Sequence, residues 1–294
     1  MTNASTRWSS SEARAYRDPV TRSRYGRGRP TRPTVKGRPI KPRTWWKTLV
    51  AVVVLAGITI WAAVAIGVDF GALVRNAQNA SNTLIQLTQP DYSFFPQTVP
   101  ALVETIQMAI IGTAVSIVIA LPVSFWASRA TNPNSVFLGI TRFIMNVVRS
   151  VPDLLYASLF VTVIGTGALS GIMALVLFNL GIMVKLISEA LDGLDRGGQE
   201  AGLAAGATWT KANRAAMLPE VAPSYISQTI YVLELNIRAS TVIGLVGAGG
   251  LGMLIDKVRT FYQYHYLSLV ILEILVLVVL LELLSSYARK RLIR

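Results

Sequence analysis

The chain has 294 residues, 52% of them hydrophobic and only 15% charged, a balance that points to a protein embedded in a membrane. Its formal net charge of +13 is concentrated at one end, because residues 1–47 hold 13 Lys and Arg against Glu12 and Asp18. With no cysteine and one histidine, His265, there is no material for disulfides, thiolate metal sites, a His-based metal cluster or a Ser-His-Asp triad, and no G-x-x-x-x-G-K-[ST] loop is present to bind ATP.

Residues 1–44 are rich in Arg, Pro, Ser, Thr and Gly and nearly free of aliphatic side chains. Such a segment cannot bury enough apolar surface to order itself, so it reads as a disordered basic cytoplasmic tail. Each basic residue near an anionic lipid surface contributes about 1 kcal/mol of attraction. The run Arg27-Gly28-Arg29-Pro30 matches the core of a minor-groove DNA hook, but four residues in a biased segment weigh less than lipid attraction, and no nucleic-acid partner is expected. The tail is too long and too basic for a cleavable signal peptide.

Residues 49–68 are apolar and long enough to span a bilayer, with Trp45, Trp46 and Lys47 as interfacial anchors. Residues 69–98 are mixed and polar, with Arg75 their one basic residue, and Pro90, Pro96 and Pro100 are expected to break any long helix there. The second span is expected over 102–127, and Asn132-Pro133-Asn134 signals a turn. In residues 136–150, Arg142, Asn146 and Arg149 recur at i, i+4, i+7, so this helix is amphipathic and expected at the cytoplasmic surface. Pro152 precedes a short apolar segment, 154–164, which cannot cross a bilayer alone. Further spans are expected over 169–187, 225–246 and 267–284. The division expected is a tail at 1–44, a first span with an extracytoplasmic segment at 45–98, and a membrane domain at 99–294 that contains a loop at 196–219. The excess of Lys and Arg at both termini and around that loop puts all three in the cytoplasm, against Arg75, Lys257 and Arg259 opposite.

The loop is the most distinctive stretch. Glu200, Ala201, Gly202, Gly206 and Ala207 open it, Lys211 and Arg214 follow, and Leu218-Pro219 lead into the next apolar run. Gly206 allows a sharp turn between two short helices, and a crowd of small residues lets a foreign surface approach the backbone closely. Pro219 suits the first turn of the following helix. The order of these residues resembles the signature of permease subunits of ATP-binding-cassette (ABC) importers: E-A-A-x-x-x-G, nine residues, then I-x-L-P. Glu200, Ala201, Gly206, Leu218 and Pro219 fall on it, while Gly202 and Ala216 depart from it and stay small or apolar. The resemblance implies that the loop forms the coupling helix seated in a groove of an ATPase subunit.

The fifth apolar run contains Glu234, Asn236 and Arg238. Glu234 and Arg238 can pair at i, i+4, with Asn236 pointing elsewhere. Two readings stay open. The pair is either a self-neutralised packing element, or the polar wall of a translocation path in which Arg238 attracts an anion through its two-pronged guanidinium. Glu273 is a further intramembrane carboxylate. Gly247, Gly249 and Gly252 satisfy G-x-G-x-x-G, and Gly250 adds a fourth glycine, but a membrane span precedes them where a dinucleotide fold needs a strand. The run is read as a tight turn or close helix packing at the span's outer end.

The run NIRASTVIGLVGAGGLG, together with Arg149-Ser150-Val151-Pro152 and Glu200-Ala201, is similar to the permease of phosphonate-type ABC importers. The similarity extends from about residue 100 to the C-terminus, and residues 12–17 share it more weakly. It implies an all-α polytopic protein of about six transmembrane helices with the type I importer architecture, in the plasma membrane of a prokaryote. It also implies a homodimer working with two ATPase subunits, which hold the ATP and Mg, and an extracytoplasmic binding protein. No catalytic residue, metal or cofactor is expected in this chain. The alternatives are a methionine-type amino-acid importer and, in another class, a membrane-anchored nucleic-acid-binding protein using the basic tail.

Overall fold

The computed structural model describes residues 45–292. The basic tail, with its Arg27-Gly28-Arg29-Pro30 run and the 12–17 stretch, lies outside the described residues, as do Ile293 and Arg294. All regular structure among the described residues is helical. The chain divides into two compact units, one ending at Leu73 and one beginning at Val74.

The first unit contains α1 (Trp45–Ile66), 22 residues of uninterrupted apolar character. Val52, Val53, Leu55, Ile60 and Trp61 are all exposed around it, which suits a helix surrounded by hydrocarbon and would be untenable in water. The short α2 (Phe70–Arg75) carries the division between the units.

The second unit begins with α3 (Ala77–Leu87), followed by a tight 3₁₀ turn (Tyr92–Phe94) whose Asp91 caps it by accepting from the Ser93 amide at 2.9 Å. Hydrogen bonds from the Ser93 side chain and amide hold the exposed Asp91 carboxyl below the ordinary carboxylate range. Then α4 (Phe95–Ala127) runs for 33 residues. It starts seven residues before the expected second span: Pro96 sits in the first turn, where a missing N–H costs nothing, and Pro100 lies inside the helix, where it removes one hydrogen bond without ending it. The expectation that Pro96 and Pro100 break the helix is therefore corrected; only Pro90 lies outside it.

The amphipathic helix α5 (Ser135–Ser150) is capped by Asn134, whose side chain accepts from the Val136 and Phe137 amides. It is bent by 84° from α6 (Asp153–Ile164) across Val151-Pro152, so residues 136–164 form two helices that together are long and apolar enough for one broken span. α7 (Ala168–Asp192) is the most buried long helix. Two short helices, α8 (Gly197–Ala204) and α9 (Trp209–Ala212), lead through a wide turn at Asn213–Met217 into α10 (Leu218–Ile243). A second wide turn at Gly244–Ala248 kinks the chain into α11 (Gly250–Thr260), and α12 (Tyr264–Leu292) closes the described residues. Five helices are individually long and apolar enough to cross a membrane, and the bent pair makes up to six.

Polarity is turned inward. Thr105, Thr113, Ser116 and Ser124 of α4 are buried, and each hydroxyl donates to a carbonyl three or four residues back, which keeps the helix interface small and satisfied. Gly112 and Gly171 bring α4, α7 and the Gly244–Ala248 turn together: an added Cβ at Gly112 would lie 2.9 Å from Leu175 Cβ, and one at Gly171 would lie 2.8 Å from Ala248 O. Asn179, Asn236 and Thr113 tie three helices across the buried centre, Asn179 Nδ2 donating to Asn236 Oδ1 (2.6 Å) and Asn236 Nδ2 to Thr113 Oγ1 (2.7 Å). Outside, Leu275, Leu280, Leu283 and Leu284 of α12 are exposed.

Candidate functional site

The loop of residues 196–219 folds into a compact knob. α8 ends in a Schellman motif: the Ala207 amide donates to Gly202 O and the Gly206 amide to Leu203 O, both at 3.0 Å. Gly206, at φ +86, supplies the left-handed residue that this ending requires, and nothing stands within 4 Å of a Cβ built there. The small residues divide into two sets. Gly198 and Gly202 face inward, where their added Cβ atoms would meet Ala216 Cβ at 3.3 Å and Ala212 Cβ at 3.5 Å, so α8 lies directly on α9 and the turn beyond it. Glu200, Ala201, Ala204, Ala205 and Gly206 face outward and are exposed. The outward set forms a low, nearly apolar cap. Ala207 and Leu218 are half-buried beneath it, and Pro219 occupies the first turn of α10 as expected.

The underside of the knob is polar, buried and bonded to a different part of the chain. Gln199, 2% exposed, donates through Nε2 to Ala130 O (2.8 Å) and to Asn213 Oδ1 (2.5 Å). Asn213 Nδ2 and Trp209 Nε1 both donate to Thr131 O, at 2.8 and 2.5 Å. The turn that carries these carbonyls is held from the other side by Asp192, the last residue of α7. Its carboxylate accepts from the Ser128 hydroxyl (2.7 Å), the Arg129 and Ala130 amides (2.6 and 3.2 Å) and Arg142 Nη2 (2.7 Å). Arg142 Nε also donates to Ala127 O at 2.6 Å. Of the three polar residues expected on one face of α5, Arg142 is therefore half-buried and bonded, while Asn146 and Arg149 are exposed. Beside the knob, a groove of about 350 Å³ is lined by Leu121, Pro122, Phe125 and Trp126 of α4 and by Trp209 and Arg214. Gln199, Asn213 and Asp192 carry no periodic signal, so sequence reasoning missed them.

The intramembrane charges form a larger cluster than the expected pair. Arg238 Nη2 lies 2.7 Å from Glu234 Oε1, as the i, i+4 spacing predicts. Two residues of α12 join them: Arg289 reaches Glu234 Oε2 at 3.3 Å, and Glu282 lies 3.7 Å from Arg238. Two cations and two anions thus balance. Glu234 is the least exposed member at 12%, whereas Arg238 is 47% exposed. Asn236 is fully buried in the three-helix tie and is not brought together with Arg238. Glu273 pairs with Thr98, which donates to its Oε1 at 2.5 Å.

At the opposite end of α10, the glycine run does what its composition suggests and one thing more. Gly247, Gly249 and Gly250 take φ values of +92, +90 and +66. The turn is so tight that an added Cβ at Gly252 would lie 2.0 Å from Thr241 O. The turn docks on its neighbours through Gly167 N donating to Gly247 O (2.9 Å) and Leu251 N to Thr105 Oγ1 (2.8 Å). The addition is α11, which the glycines disguise. Leu251, Leu254, Ile255 and Val258, at i, i+3, i+4 and i+7, were the signal for it and now pack with Leu269 and Val270 of α12.

Long apolar helices with polar side chains turned inward, and a compact knob projecting at one end, are the build of a multi-span membrane permease. The chain belongs to the family described as binding-protein-dependent transport system inner membrane component, which matches residues 120–294. It is 36% identical to the phosphite transport system permease protein PtxC of Stutzerimonas stutzeri over 84% of this chain and 90% of that protein. It is 33% identical to the phosphate-import permease protein PhnE of Mycolicibacterium smegmatis over 66% of this chain but 36% of that longer protein. Among solved structures, the inward-facing MetNI methionine ABC transporter matches with a TM-score of 0.61 at 23% identity, covering 69% of this chain and 100% of the other, and so shares the fold. The type I importer architecture expected from the sequence is the one observed.

Proposed function

We propose that this permease carries a tetrahedral phosphorus oxyanion, phosphonate, phosphate or phosphite, into the cell at the expense of ATP hydrolysed by separate subunits. The observation that carries the cargo reading is the 36% identity with a permease named for phosphite, sustained over 84% of the chain. The working assembly is a homodimer with two ATPase subunits, which bind the ATP and Mg, and an extracytoplasmic binding protein that delivers the anion. Both termini and the 196–219 loop lie in the cytoplasm, and closure of the ATPase subunits pushes on the exposed cap of the loop. The supporting geometry is the outward set of small residues, shaped to enter a groove, on a knob whose back is bonded to the helix bundle.

Within the membrane, Arg238 is the proposed transient contact for the anion. It is the half-exposed cation of the cluster, and its fork can exchange the Glu234 carboxylate for a phosphorus oxyanion while Glu234 keeps Arg289. The glycine turn acts as a packing hinge and binds no dinucleotide. The amino-acid alternative leans on a shared fold, which does not specify cargo. The complete complex in proteoliposomes, with its binding protein, decides between them: ATP-dependent uptake of phosphite, phosphate or methylphosphonate is expected, and uptake of methionine instead would overturn the cargo reading.

A further inference from the structure

The underside of the knob holds three side chains whose bonds decide where a push on the docking cap would go. Gln199, Trp209 and Asn213 all aim their donors at two carbonyls, Ala130 and Thr131, that lie 69 to 82 residues earlier in the chain. The bonding leaves no slack. Both N–H groups of the Gln199 amide are used, and both lone pairs of the Thr131 carbonyl are used. The amide orientation of Gln199 is fixed, since a backbone carbonyl can only accept. Displacing the knob therefore either breaks three bonds to buried acceptors at once or carries the Ala130–Thr131 turn with it.

That turn is in turn clamped to two helices. Asp192 at the end of α7 accepts from its Arg129 and Ala130 amides, and the same carboxylate holds Arg142 of α5. Arg142 also grips Ala127 O at the end of α4. The path of direct polar contacts thus runs from the knob through one turn to α4, α5 and α7. Of these, α5 is the element joined to α6 across an 84° bend, where a rotation at one arm re-aims the other.

We propose that Gln199 and Asn213, with the Asp192–Arg142 pair behind them, are positioning residues that transmit displacement of the knob to the bent α5–α6 pair. They hold the loop rigid against the turn, so a push on Ala201–Gly206 becomes motion of α5 and does not dissipate within the loop. This rests on the reading of the knob as the ATPase-docking element and adds where its motion goes.

Hydrogen exchange by mass spectrometry on the complete transporter, with and without ATP, tests it without needing the cargo. In the wild type, ATP is expected to change protection both in the loop and in the peptide spanning Ser135–Ser150. In the double variant Gln199→Leu with Asn213→Leu, which keeps a side chain at each position and removes the amides, the loop response is expected to persist while the α5 response falls at least threefold. Should that variant not assemble, Trp209→Phe keeps an aromatic ring, deletes one bond to Thr131 O, and is expected to show a smaller loss in the same direction. An α5 response equal to wild type in the assembled variants overturns the inference, as does a wild type whose loop responds and whose α5 does not. No ATP response at the loop itself would remove the docking reading, and this inference with it.

Discussion

Replacing Arg238 by Gln removes one cation from a four-member cluster, and the geometry sets how much that should cost. Glu234, 12% exposed, loses a partner at 2.7 Å but keeps Arg289 at 3.3 Å. Glu282 is well exposed and loses only a 3.7 Å contact. A charge-assisted hydrogen bond contributes roughly 1.5–3 kcal/mol, and half-exposure of the arginine reduces that, so the loss is about 1–2 kcal/mol. Removing both cations, Arg238→Gln with Arg289→Gln, strands Glu234 and should cost about 3–5 kcal/mol. The assay is the yield of intact complex after graded heating, paired with ATP-driven uptake. Arg238→Gln is expected to assemble nearly normally and to lose most of its uptake. Arg238→Lys should lose less, because charge remains while the fork is gone. If Arg238→Gln collapses the complex as fully as the two-cation variant, Arg289 does not share the load and the reasoning fails. Normal uptake in Glu234→Gln with Arg238→Gln would remove Arg238 from the transport path and leave the cluster a packing element.

On the knob, Gly206→Trp and Glu200→Arg should each lower uptake at least tenfold while the permease stays in the membrane. Gly206→Asn, which tolerates a left-handed backbone, should be close to wild type, because nothing stands within 4 Å of its Cβ and only docking bulk would matter. At the glycine turn, Gly252→Ala drives a methyl to 2.0 Å from Thr241 O and should destabilise the purified permease by about 3 kcal/mol, read as a fall in its thermal midpoint, whereas Gly57→Ala on α1 should shift it by less than a degree or two. Because the chain lacks cysteine, single cysteines at Ser81 and Thr210 report topology directly: an impermeant reagent on intact cells should label the first and spare the second.

What the sequence made legible follows the range over which each signal acts. The apolar runs gave the spans, the i, i+4 spacing gave the Glu234–Arg238 pair, and Gly206 gave the Schellman ending, because each is decided within a few residues. Pro96 misled because it sits in the first turn, where no helix bond is lost, and Pro100 misled because a long helix carries it inside at the loss of one hydrogen bond. The helix α11 was concealed by four glycines at its head, although its Leu251–Val258 spacing was present to be read. The bonds from the underside of the knob to the Ala130–Thr131 turn, and the Arg289 and Glu282 half of the charged cluster, join residues 44 or more positions apart. No local pattern encodes such pairs. A lone Gln before a surface glutamate reads as solvent-facing until the fold closes over it.

The exposed cap at residues 200–206 is the proposed seat of the ATPase subunit. A photo-reactive phenylalanine analogue placed at Ala205, in the complete complex purified from the membrane, tests it most directly. Ultraviolet light should join this permease to the ATPase subunit in one dominant product, and the same analogue at Ser81 should give none. A cross-link from Ala205 to the binding protein, or none to the ATPase subunit in a complex that contains it, would contradict the account.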